Sequence, residues 1–306
     1  MDTGETRCVL VTGGRGFLGR AVAKLLQRTG YEVVSLDVTP ITSCSADPWN
    51  DREVLCDLTD AEELQRVFET RKIQGIVHLA AILPTAAQRD PVRATQVNVD
   101  GSLNLLELAR RFGARRMVFG SSLSMYGTRP ADHVVSETDP AAPEDLYGSA
   151  KVYVEQLGAA YRQQFGLEFV SLRIGRVVGP GARSVSSAWR SEIFELLGTT
   201  HATGIALPYV GSERILLVHL DDVARMLVAL LQAACPAHAI YKAACESVVV
   251  DDLKRELERL NPMLSVRLGE THALGNPRRL DSSRVRQEFG IQTLPIFEQL
   301  KAAERR

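Results

Sequence analysis

The stretch Val9–Gly30 reads VLVTGGRGFLGRAVAKLLQRTG, and it decides the fold of this chain. A short apolar run leads into three spaced glycines, Gly13, Gly16 and Gly19, and an amphipathic, helix-like stretch follows them. Glycines between a strand and a helix let backbone N–H groups approach a pyrophosphate and let the helix pack closely on the strand. The helix N-terminus adds a partial positive charge that faces the phosphates. A tight turn without a ligand needs similar glycines, so the residues that follow must decide between a dinucleotide site and a plain turn.

Strand-like and helix-like segments alternate through the first half of the chain, with Asp60 and Asp90 as helix starts and Gly30 and Gly113 as helix ends. Such alternation favours a parallel sheet covered by helices on both faces. The predicted fold class is therefore α/β, a Rossmann-type doubly wound parallel sheet with a smaller α+β substrate-binding domain. The predicted strands are Cys8–Val11, Glu32–Leu36, Val54–Cys56, Ile76–Leu79, Met117–Gly120 and Phe169–Leu172, and the predicted helices are Leu18–Arg28, Ala61–Thr70, Val92–Phe112 and Tyr147–Phe165.

The regular alternation loosens near Gly175, and this change predicts two domains. Residues 1–175 are expected to form an NAD-binding domain and residues 176–306 most of a substrate-binding domain. A segment near 214–235 is expected to pack back on the first domain. The elements expected after Gly175 are a helix at Trp189–Leu197, a helix from Asp221 or Asp222, a strand–helix pair at Ala239–Leu260 and a last short helix in LDSSRVRQEFG (280–290).

Two aspartates follow predicted strands where a bound nucleotide would lie. Asp37, in VVSLD, stands where a carboxylate accepts hydrogen bonds from both hydroxyls of the adenosine ribose. A phosphate on the 2′ oxygen would be repelled by this carboxylate, which favours NAD over NADP. Arg15, inside the glycine loop, is a counter-indication, because an arginine can contact such a phosphate. Asp57, in LCDLTD, has two interpretations, a contact to adenine or a cap of the next helix.

Tyr147 and Lys151 lie one helical turn apart in LYGSAK, downstream of the serines in FGSSLSMYG (119–127). Tyrosine is a poor base because its ordinary pKa is about 10. A cation one turn away favours the phenolate and lowers that pKa, and the lysine can also hold a ribose hydroxyl of the cofactor. A nearby serine hydroxyl can bond the substrate oxygen during proton transfer. A solvated Tyr–Lys pair has the same spacing, but the glycine loop and Asp37 favour a proton-transfer set.

Composition argues against several classes of protein. The chain has 306 residues, 45% hydrophobic and 24% charged, and its net charge of −1 predicts no nucleic-acid partner. Apolar runs long enough to span a membrane and a secretory leader pattern are both missing from the sequence. Histidine and cysteine pairs with metal-ligand spacing are also missing, so we expect no metal, reduced buried thiols and a cytoplasmic location. The five cysteines are Cys8, Cys44, Cys56, Cys235 and Cys245.

Seven motifs occur in a fixed order: TGGRGFLG (12–19), Asp37, Asp57-Leu58, HLAA (78–81), NVDGSLNLLE (98–107), SSLSMYG (121–127) and YGSAK (147–151). With them the chain, as far as about Asp222, resembles the extended short-chain dehydrogenase/reductases, in particular the NAD-dependent epimerase/dehydratase family. The resemblance implies that Ser122 is catalytic with Tyr147 and Lys151, while Ser121 and Ser124 are neighbours with weaker claims. His78 is either a contact to the cofactor or a core histidine. The cofactor-binding residues implied are Gly13, Gly16, Phe17, Leu18, Asp37, Asp57, Leu58, Leu79, Ala80, Ala81, Asn98, Tyr147 and Lys151.

The second half resembles the family less closely. In LRIGRVVGPG (172–181), Arg176 stands where family members acting on nucleotide-linked sugars often carry an asparagine. An arginine can bind a carboxylate or phosphate with two hydrogen bonds, so this departure counts against a nucleotide-sugar substrate. Arg214, in GSERILLVHLDDVA, is the candidate for a substrate phosphate, one residue off the usual spacing. Ser124 is the third candidate substrate contact, whereas His219 and Asp222 are expected to cap the following helix.

The function expected from this resemblance is reversible hydride transfer, with NAD, at a hydroxyl-bearing carbon of a sugar or nucleotide-sugar. The alternative is an NAD-dependent dehydrogenase of a small secondary alcohol or sugar acid. It draws on a scattered likeness to the short-chain L-threonine dehydrogenases in HLAAI, FGLEFVSLR and LDSSRVRQEFG. A non-catalytic NAD-binding protein is a third hypothesis, disfavoured by the complete Ser122, Tyr147 and Lys151 set. Family members pair two long helices across a two-fold axis, which implies a homodimer with a small-molecule substrate.

Overall fold

The structure, a computed structural model, describes residues 7–39, 53–181 and 187–304. The elements of the first half are β1 (Cys8–Thr12), α1 (Phe17–Arg28), β2 (Glu32–Asp37), β3 (Glu53–Leu55), α2 (Ala61–Thr70), β4 (Ile73–His78), α3 (Pro84–Arg89), α4 (Pro91–Thr95), α5 (Gly101–Arg111), β5 (Arg116–Ser122), β6 (Val134–Val135) and α6 (Leu146–Phe165). Those of the second half are β7 (Glu168–Ile174), β8 (Arg176–Val178), α7 (Trp189–Glu195), β9 (Thr203–Tyr209), β10 (Arg214–His219), α8 (Leu220–Gln232), β11 (Ile240–Lys242), β12 (Glu246–Val249), α9 (Val250–Leu260), β13 (Leu264–Thr271), β14 (Arg279–Leu280), α10 (Ser283–Phe289) and α11 (Ile296–Glu304).

The main sheet has seven strands in the order β11-β7-β5-β4-β1-β2-β3. Strands β3, β2, β1, β4 and β5 pair in parallel. The residues of the central strands β1, β4 and β5 are mostly apolar and buried, as expected for strands that helices cover on both faces, whereas β3 at the edge is only partly buried. This arrangement confirms the predicted α/β fold class. It also brings the carboxyl ends of β1, β2, β4 and β5 to one edge of the sheet, where ligands of such folds bind.

Several predicted helix ends are confirmed by their capping groups. Asp60 accepts a hydrogen bond from the backbone N of Glu63 and so caps α2, and Asp90 caps α4 in the same way, with Pro91 in the first position. Gly30 and Gly113 follow α1 and α5 with φ of 87° and 70°, the left-handed conformation that glycine adopts without strain.

The predicted helix Val92–Phe112 is not continuous. It consists of α4, a π-helical turn at Gln96–Asp100, and α5. A π-helical turn holds one more residue than an α-helical turn, and it shifts the following side chains around the axis. The amphipathic pattern shows no sign of this insertion, because apolar residues occur on more than one face of the segment.

The chain folds into two compact units, each built from three segments. The first consists of Met1–Ser122, Asp145–Arg173 and Ala224–Tyr241, and the second of Leu123–Glu144, Ile174–Val223 and Lys242–Arg306. The second segment of the first unit ends at Arg173 and its third is Ala224–Tyr241. The domain boundary after residue 175 and the segment near 214–235 that packs back on the first domain stay predictions. The sequence does not predict that Leu123–Glu144 belongs to the second unit, because this segment is short and carries little regular structure.

The second unit contains small sheets. Strand β10 pairs with β8 in parallel and with β12 in antiparallel orientation, and β9 pairs with β13. The expected strand–helix pair at Ala239–Leu260 is wrong in detail, since two short strands, β11 and β12, precede α9. The helix expected to be the last, α10, is followed by α11, whose Ile296 and Leu300 pack into the core of this unit.

Three of the cysteines are buried thiols as expected: Cys8, Cys56 and Cys245. Cys235 is exposed, which corrects the expectation for that residue, and Cys44 lies outside the described residues. Burial raises the pKa of both the Cys56 and the Cys245 thiols to about 12. Within the described ranges, no helix combines the length and the apolar character needed to cross a membrane.

Candidate active site

The glycine loop joins β1 to α1 and lies against the end of β4. Gly13 has φ of +66°, and a Cβ atom there would lie 2.9 Å from the backbone N of Ala80. A Cβ atom on Gly19 would lie 2.0 Å from the carbonyl O of Gly13. Gly16 is the N-cap of α1 and offers no side chain to the first N–H groups of the helix, which belong to Phe17, Leu18 and Gly19. The loop is therefore a glycine-lined cradle before a helix N-terminus, and it fits a pyrophosphate.

Asp37 ends β2 beside this cradle, and its carboxylate is held by two backbone groups. The N of Arg15 donates to Oδ2 and the N of Thr39 donates to Oδ1, each over 3.0 Å. A carboxylate has about four lone-pair positions, so acceptor capacity is left for ribose hydroxyls. The position that the sequence predicts for a ribose-binding carboxylate is thus next to the glycine loop, as the fit to NAD requires.

Asp57 does not cap α2, because Asp60 does. Its Oδ1 accepts hydrogen bonds from the backbone N and the hydroxyl of Thr59, and its Oδ2 pairs with Arg93. Partial burial acts to raise the pKa of Asp57, but the hydrogen bonds from Thr59 and Arg93 outweigh it and lower the pKa. The capping interpretation is wrong, and a contact to adenine stays a prediction.

His78 is a fully buried core residue within a directed hydrogen-bond chain. The Ser102 hydroxyl donates to the carbonyl O of Asn98 over 2.7 Å, so its oxygen accepts from Nε2–H of His78 at 2.9 Å. Nδ1 of His78 must then accept from the Thr12 hydroxyl at 2.6 Å. Burial, aided by the charge of Lys151, lowers the pKa of His78 to about 3, in agreement with a neutral ring. The core interpretation of His78 is therefore the one that its contacts support.

The same chain of hydrogen bonds orders the segment that follows β4. The Thr12 oxygen accepts from the backbone N of Leu79 and of Ala80, at 3.2 and 3.3 Å. Asn98, in the π-helical turn, forms two hydrogen bonds with the backbone of Ile82, accepting at 2.7 Å and donating at 2.9 Å. Both polar ends of the Asn98 side chain thus hold the 79–82 segment in place. Ala81 is half-buried within this segment.

Leu58 belongs to the same wall of the first unit. Leu58 is buried, and its carbonyl O accepts a hydrogen bond from the side chain of Asn104. A Cβ atom added to Gly101 would lie 2.8 Å from the Cβ of Leu58. The main chain of α5 therefore approaches the Asp57-Leu58 pair closely, which explains why glycine stands at the first position of this helix.

The proton-transfer candidates lie where α6 packs on β5. Ser122 is the last residue of β5, and Tyr147 is the second residue of α6; both are half-buried. Nζ of Lys151 donates to the carbonyl O of Gly120 over 2.7 Å, and it lies 5.3 Å from the ring centroid of Tyr147. The structure therefore brings Lys151 next to both Tyr147 and the strand end that carries Ser122.

Lys151 is almost fully buried, with 3% of its surface exposed. Burial lowers the pKa of its ammonium group to about 7, and Glu155, one turn further along α6, acts against this lowering. Glu155 is itself buried and paired with Arg173, with Nη2 and Oε2 2.7 Å apart. The lysine thus sits between an aromatic ring and a neutralised carboxylate, where its charge depends on small changes around it.

The candidate substrate residues all belong to the second unit. Ser124 is buried in a 3-10 turn at Leu123–Tyr126. Arg176 is also buried; its Nε donates to the Tyr209 hydroxyl over 3.1 Å, and its guanidinium lies 5.5 Å from the centroid of that ring. Arg214 is half-buried and donates to the carbonyl O of Ser247 at 3.4 Å.

The expected caps of α8 differ from each other. Nδ1 of His219 accepts from the backbone N of Asp221 at 3.2 Å, which is the geometry of a cap. Asp222 accepts from the side chain of Gln299 at 2.9 Å and so joins α8 to α11.

Sequence reasoning missed three residues that organise the first-unit site. The hydroxyl of Thr12 accepts hydrogen bonds from the backbone N–H groups of Leu79 and Ala80. Glu53 pairs with Arg15, and Glu155 lies one helical turn after Lys151. A hydroxyl in the last position of a buried strand and a glutamate four residues after the lysine are signals that point to two of them. Glu53 has no such signal, because it lies 38 positions from its partner.

This chain is similar to one family of known proteins and to individual epimerases and dehydrogenases. The model of the NAD dependent epimerase/dehydratase family matches residues 9–244. The UDP-glucose 4-epimerase of Lacticaseibacillus casei is 35% identical over 173 residues, 56% of this chain and 52% of that protein. The uronate dehydrogenase of Pseudomonas syringae pv. tomato is 27% identical over 184 residues, 60% of this chain and 64% of that protein. The chain thus spans about half the length of the first relative and less than two thirds of the second.

Among solved structures, the UDP-glucose 4-epimerase of Thermus thermophilus, in complex with NAD, superposes with a TM-score of 0.83. The two sequences are 25% identical, and the superposition covers 97% of this chain and 98% of that chain. The similarity in fold therefore extends beyond the region that the family model matches.

Proposed function

The chain belongs to the NAD-dependent epimerase/dehydratase family, and on that premise we propose that it is an NAD-dependent enzyme acting on a sugar or nucleotide-sugar. The family match confirms the predicted family and NAD as its cofactor. The reaction we propose is reversible hydride transfer at a hydroxyl-bearing carbon. The observation that carries the proposal is the arrangement of Tyr147, Lys151 and the end of β5 in the unit that holds the glycine cradle.

In the proposed mechanism, Tyr147 takes the proton from the substrate hydroxyl as a phenolate. The carbon that bears this hydroxyl would lose its hydrogen as hydride, for which bound NAD would supply the acceptor, and in an epimerase the hydride would come back to the other face of the resulting ketone. Ser122 donates a hydrogen bond to the substrate oxygen and keeps it next to the phenol. The ammonium of Lys151 stabilises the phenolate by its charge. The residues proposed to hold NAD are those of the cradle, Asp37, Asp57-Leu58 and the 79–81 segment.

Denaturing the purified protein and measuring the released dinucleotide tests the cofactor and the reaction class together. Epimerases of this kind keep NAD through many turnovers, whereas a dehydrogenase must exchange it. We expect NAD to be released in near-stoichiometric amount and a UDP-sugar to be interconverted without net NADH. Net NADH production with every substrate that turns over would exclude the epimerase reaction.

Tyr147→Phe tests the proposed base. Loss of a positioned proton-transfer group costs about a hundredfold to ten-thousandfold in rate, and we expect kcat to fall by such a factor while NAD binding persists. Tyr161→Phe is the matched control, because Tyr161 lies on the same helix and its hydroxyl bonds Glu107. Equal rates for Tyr147→Phe and wild type would refute the assignment.

A specific observation favours a second candidate function, a dehydrogenase acting on a sugar acid. Arg176 is a buried cation whose Nε is already hydrogen-bonded to Tyr209, and its other N–H groups suit a carboxylate. The uronate dehydrogenase relative acts, by its name, on a substrate with a carboxylate. A screen of NAD reduction against uronates, neutral sugars and amino alcohols separates the candidates. In this case Arg176→Gln should raise the KM for the uronate much more than it lowers kcat.

We also propose that the protein is a cytoplasmic homodimer that pairs through α4–α5 and α6. Support comes from apolar side chains exposed on these helices: Val92 (68%), Leu103 (38%), Tyr153 (51%) and Phe165 (51%). Light scattering on the purified protein should give twice the mass of the 33.6 kDa chain. Leu103→Glu should then yield monomers, and a wild-type mass of one chain would contradict the proposal.

A further inference from the structure

Arg15 carries its positive charge at the ribose end of the glycine cradle. Its backbone N bonds Asp37, the residue proposed to bind the ribose hydroxyls, and Nη1 donates to the carbonyl O of Thr39 over 2.6 Å. Thr39 lies two residues beyond Asp37 and donates its own N–H to that carboxylate. The guanidinium therefore lies close to the place where a 2′-phosphate of NADP would have to be accommodated.

The guanidinium is not available there, because Nη2 of Arg15 is paired with Oε2 of Glu53. The pair is largely shielded, with side-chain exposures of 18% for Arg15 and 22% for Glu53. An ion pair with little access to solvent is weakly screened, and it is costly to break by removing one partner. Separation of Arg15 from Glu53 is therefore energetically unfavourable.

The sheet makes this pairing possible. Glu53 begins β3 and lies opposite Ser35 of β2, while a Cβ atom on Gly14 would lie 2.0 Å from the Ser35 hydroxyl oxygen. The loop thus lies directly over β2 at Ser35, and Arg15 reaches across that strand to its neighbour. Asp37, Glu53 and Arg15 carry a combined charge of −1, which repels an additional phosphate.

We propose that Glu53 is a determinant of cofactor specificity. By occupying the guanidinium of Arg15, it prevents a residue placed to bind a 2′-phosphate from doing so, and the site stays selective for NAD. The inference rests on the proposed NAD-dependent function, and it resolves the conflict between Asp37, which favours NAD, and Arg15, which favours NADP.

The test compares the affinities of NADP and NAD, measured without substrate as the concentration of NADP that displaces half of the NAD retained by the purified protein. Glu53→Gln keeps the shape of the side chain and removes its charge. A hydrogen bond to a charged group is stronger than one between neutral groups, so release of Arg15 should improve NADP affinity relative to NAD by about tenfold or more. Glu62→Gln is the matched control, because Glu62 is an exposed glutamate whose loss changes the net charge by the same amount.

A second variant identifies the group that binds the phosphate. Adding Arg15→Met to Glu53→Gln should abolish the gain in NADP affinity. An unchanged NADP-to-NAD ratio in Glu53→Gln, with NAD still bound, would overturn the inference and leave the proposed function intact. Failure of the wild type to bind either dinucleotide would overturn both. Glu53→Met provides a second neutral variant, and if neither variant folds, Glu53 is a structural residue and the inference is rejected.

Discussion

Lys151 is the residue whose burial conflicts most directly with its proposed role. Burial favours the neutral amine and lowers the pKa to about 7, whereas stabilisation of a tyrosine phenolate needs the ammonium. The hydrogen bond to Gly120 and the Phe119 ring, 4.4 Å from Nζ, compensate for part of the lost hydration. A functional lysine at this position therefore lowers the stability of the fold around it.

Lys151→Met should raise the stability of the ligand-free protein while abolishing turnover. The folded pKa of about 7 is lower than the ordinary 10.5, so between these values the unfolded chain holds more protons. Stability contributed by Lys151 therefore rises with pH across that window and is lost as pH falls to about 7. The increase in Tm on substitution should be larger near pH 7 than near pH 10. An increase independent of pH, or one equalled by the exposed Lys24→Met control, would contradict this account.

The buried pair of Glu155 and Arg173 gives a second prediction at the residue scale. Removal of one partner leaves an uncompensated charge in the interior, and we expect Glu155→Gln or Arg173→Met to cost about 3–5 kcal/mol of unfolding free energy. The double variant should recover much of this loss, because no charge is then left unpaired. Denaturant unfolding of the wild type, the two single variants and the double variant measures the coupling free energy between the two side chains. Additive losses would mean that the two side chains act independently.

At the scale of the element, the start of α6 determines where Tyr147 stands. Asp145 is the N-cap, and its Oδ1 accepts from the backbone N of Gly148 over 2.6 Å. Asp145→Ala should cost about 1 kcal/mol and lower kcat, because Tyr147 lies in the turn that loses its cap. Asp145→Asn, whose side chain can still cap the helix, should retain most of the stability and most of kcat. Hydrogen exchange at the first turn and steady-state rates are the measurements, and an equal loss in both variants would show that the charge, not the cap, is needed.

The glycine loop yields a further prediction at this scale. Gly19→Ala would place a methyl group 2.0 Å from the carbonyl O of Gly13, and overpacking of this kind costs about 1–3 kcal/mol. We expect lower stability and weaker NAD binding together, since the loop must move. Gly198→Ala is the control, because among the described residues no atom outside Gly198 and its chain neighbours lies within 4 Å of the added Cβ. Tight NAD binding by Gly19→Ala would mean that the loop relaxes without changing the cradle.

Elements with strong local patterns could be predicted from the sequence, and those that depend on distant partners could not. Helices α1, α2 and α6 begin and end within a residue of their predicted bounds, because caps, glycines and periodicity are local signals. The sequence does not predict the π-helical turn; Asn98 within it bonds the backbone of Ile82, 16 residues away, and a partner at that distance leaves no local pattern. At the site, the glycines, Asp37, Tyr147 and Lys151 were visible as motifs. The hydrogen-bond chain through Thr12 and His78 has no sequence pattern of its own.

At the scale of the whole molecule, one arginine attaches the third segment of the first unit. Arg116, on β5, is 1% exposed; its Nη1 donates to the carbonyl oxygens of Leu230 and Leu231 at the end of α8, and its Nε donates to Glu168. A cation at a helix C-terminus satisfies carbonyl groups that have no partner within the helix. No spacing rule links residue 116 to residue 230, so the sequence has no pattern that predicts this attachment.

Arg116→Leu should therefore loosen the end of α8 more than any other part of the first unit. It leaves Glu168 without its closest partner and several carbonyl groups unsatisfied, so we expect a loss of about 3 kcal/mol or more. Hydrogen exchange mass spectrometry should show faster exchange at residues 224–235 and little change in α1. The exposed Arg111→Leu is the control. Uniform acceleration over the whole unit would show a global loss of stability instead.

The position of β11 at the edge of the main sheet has a consequence for biosynthesis. Its strand neighbour, β7, is complete by Ile174, but the ribosome reaches Ile240 only after translating about half of the second unit. Until then, one side of β7 exposes unpaired backbone groups that can recruit other chains. Nascent chains stalled before Ile240 are thus the species expected to aggregate or to bind chaperones. The exposed side of β7 can pair only once the three-residue strand β11 has been synthesised.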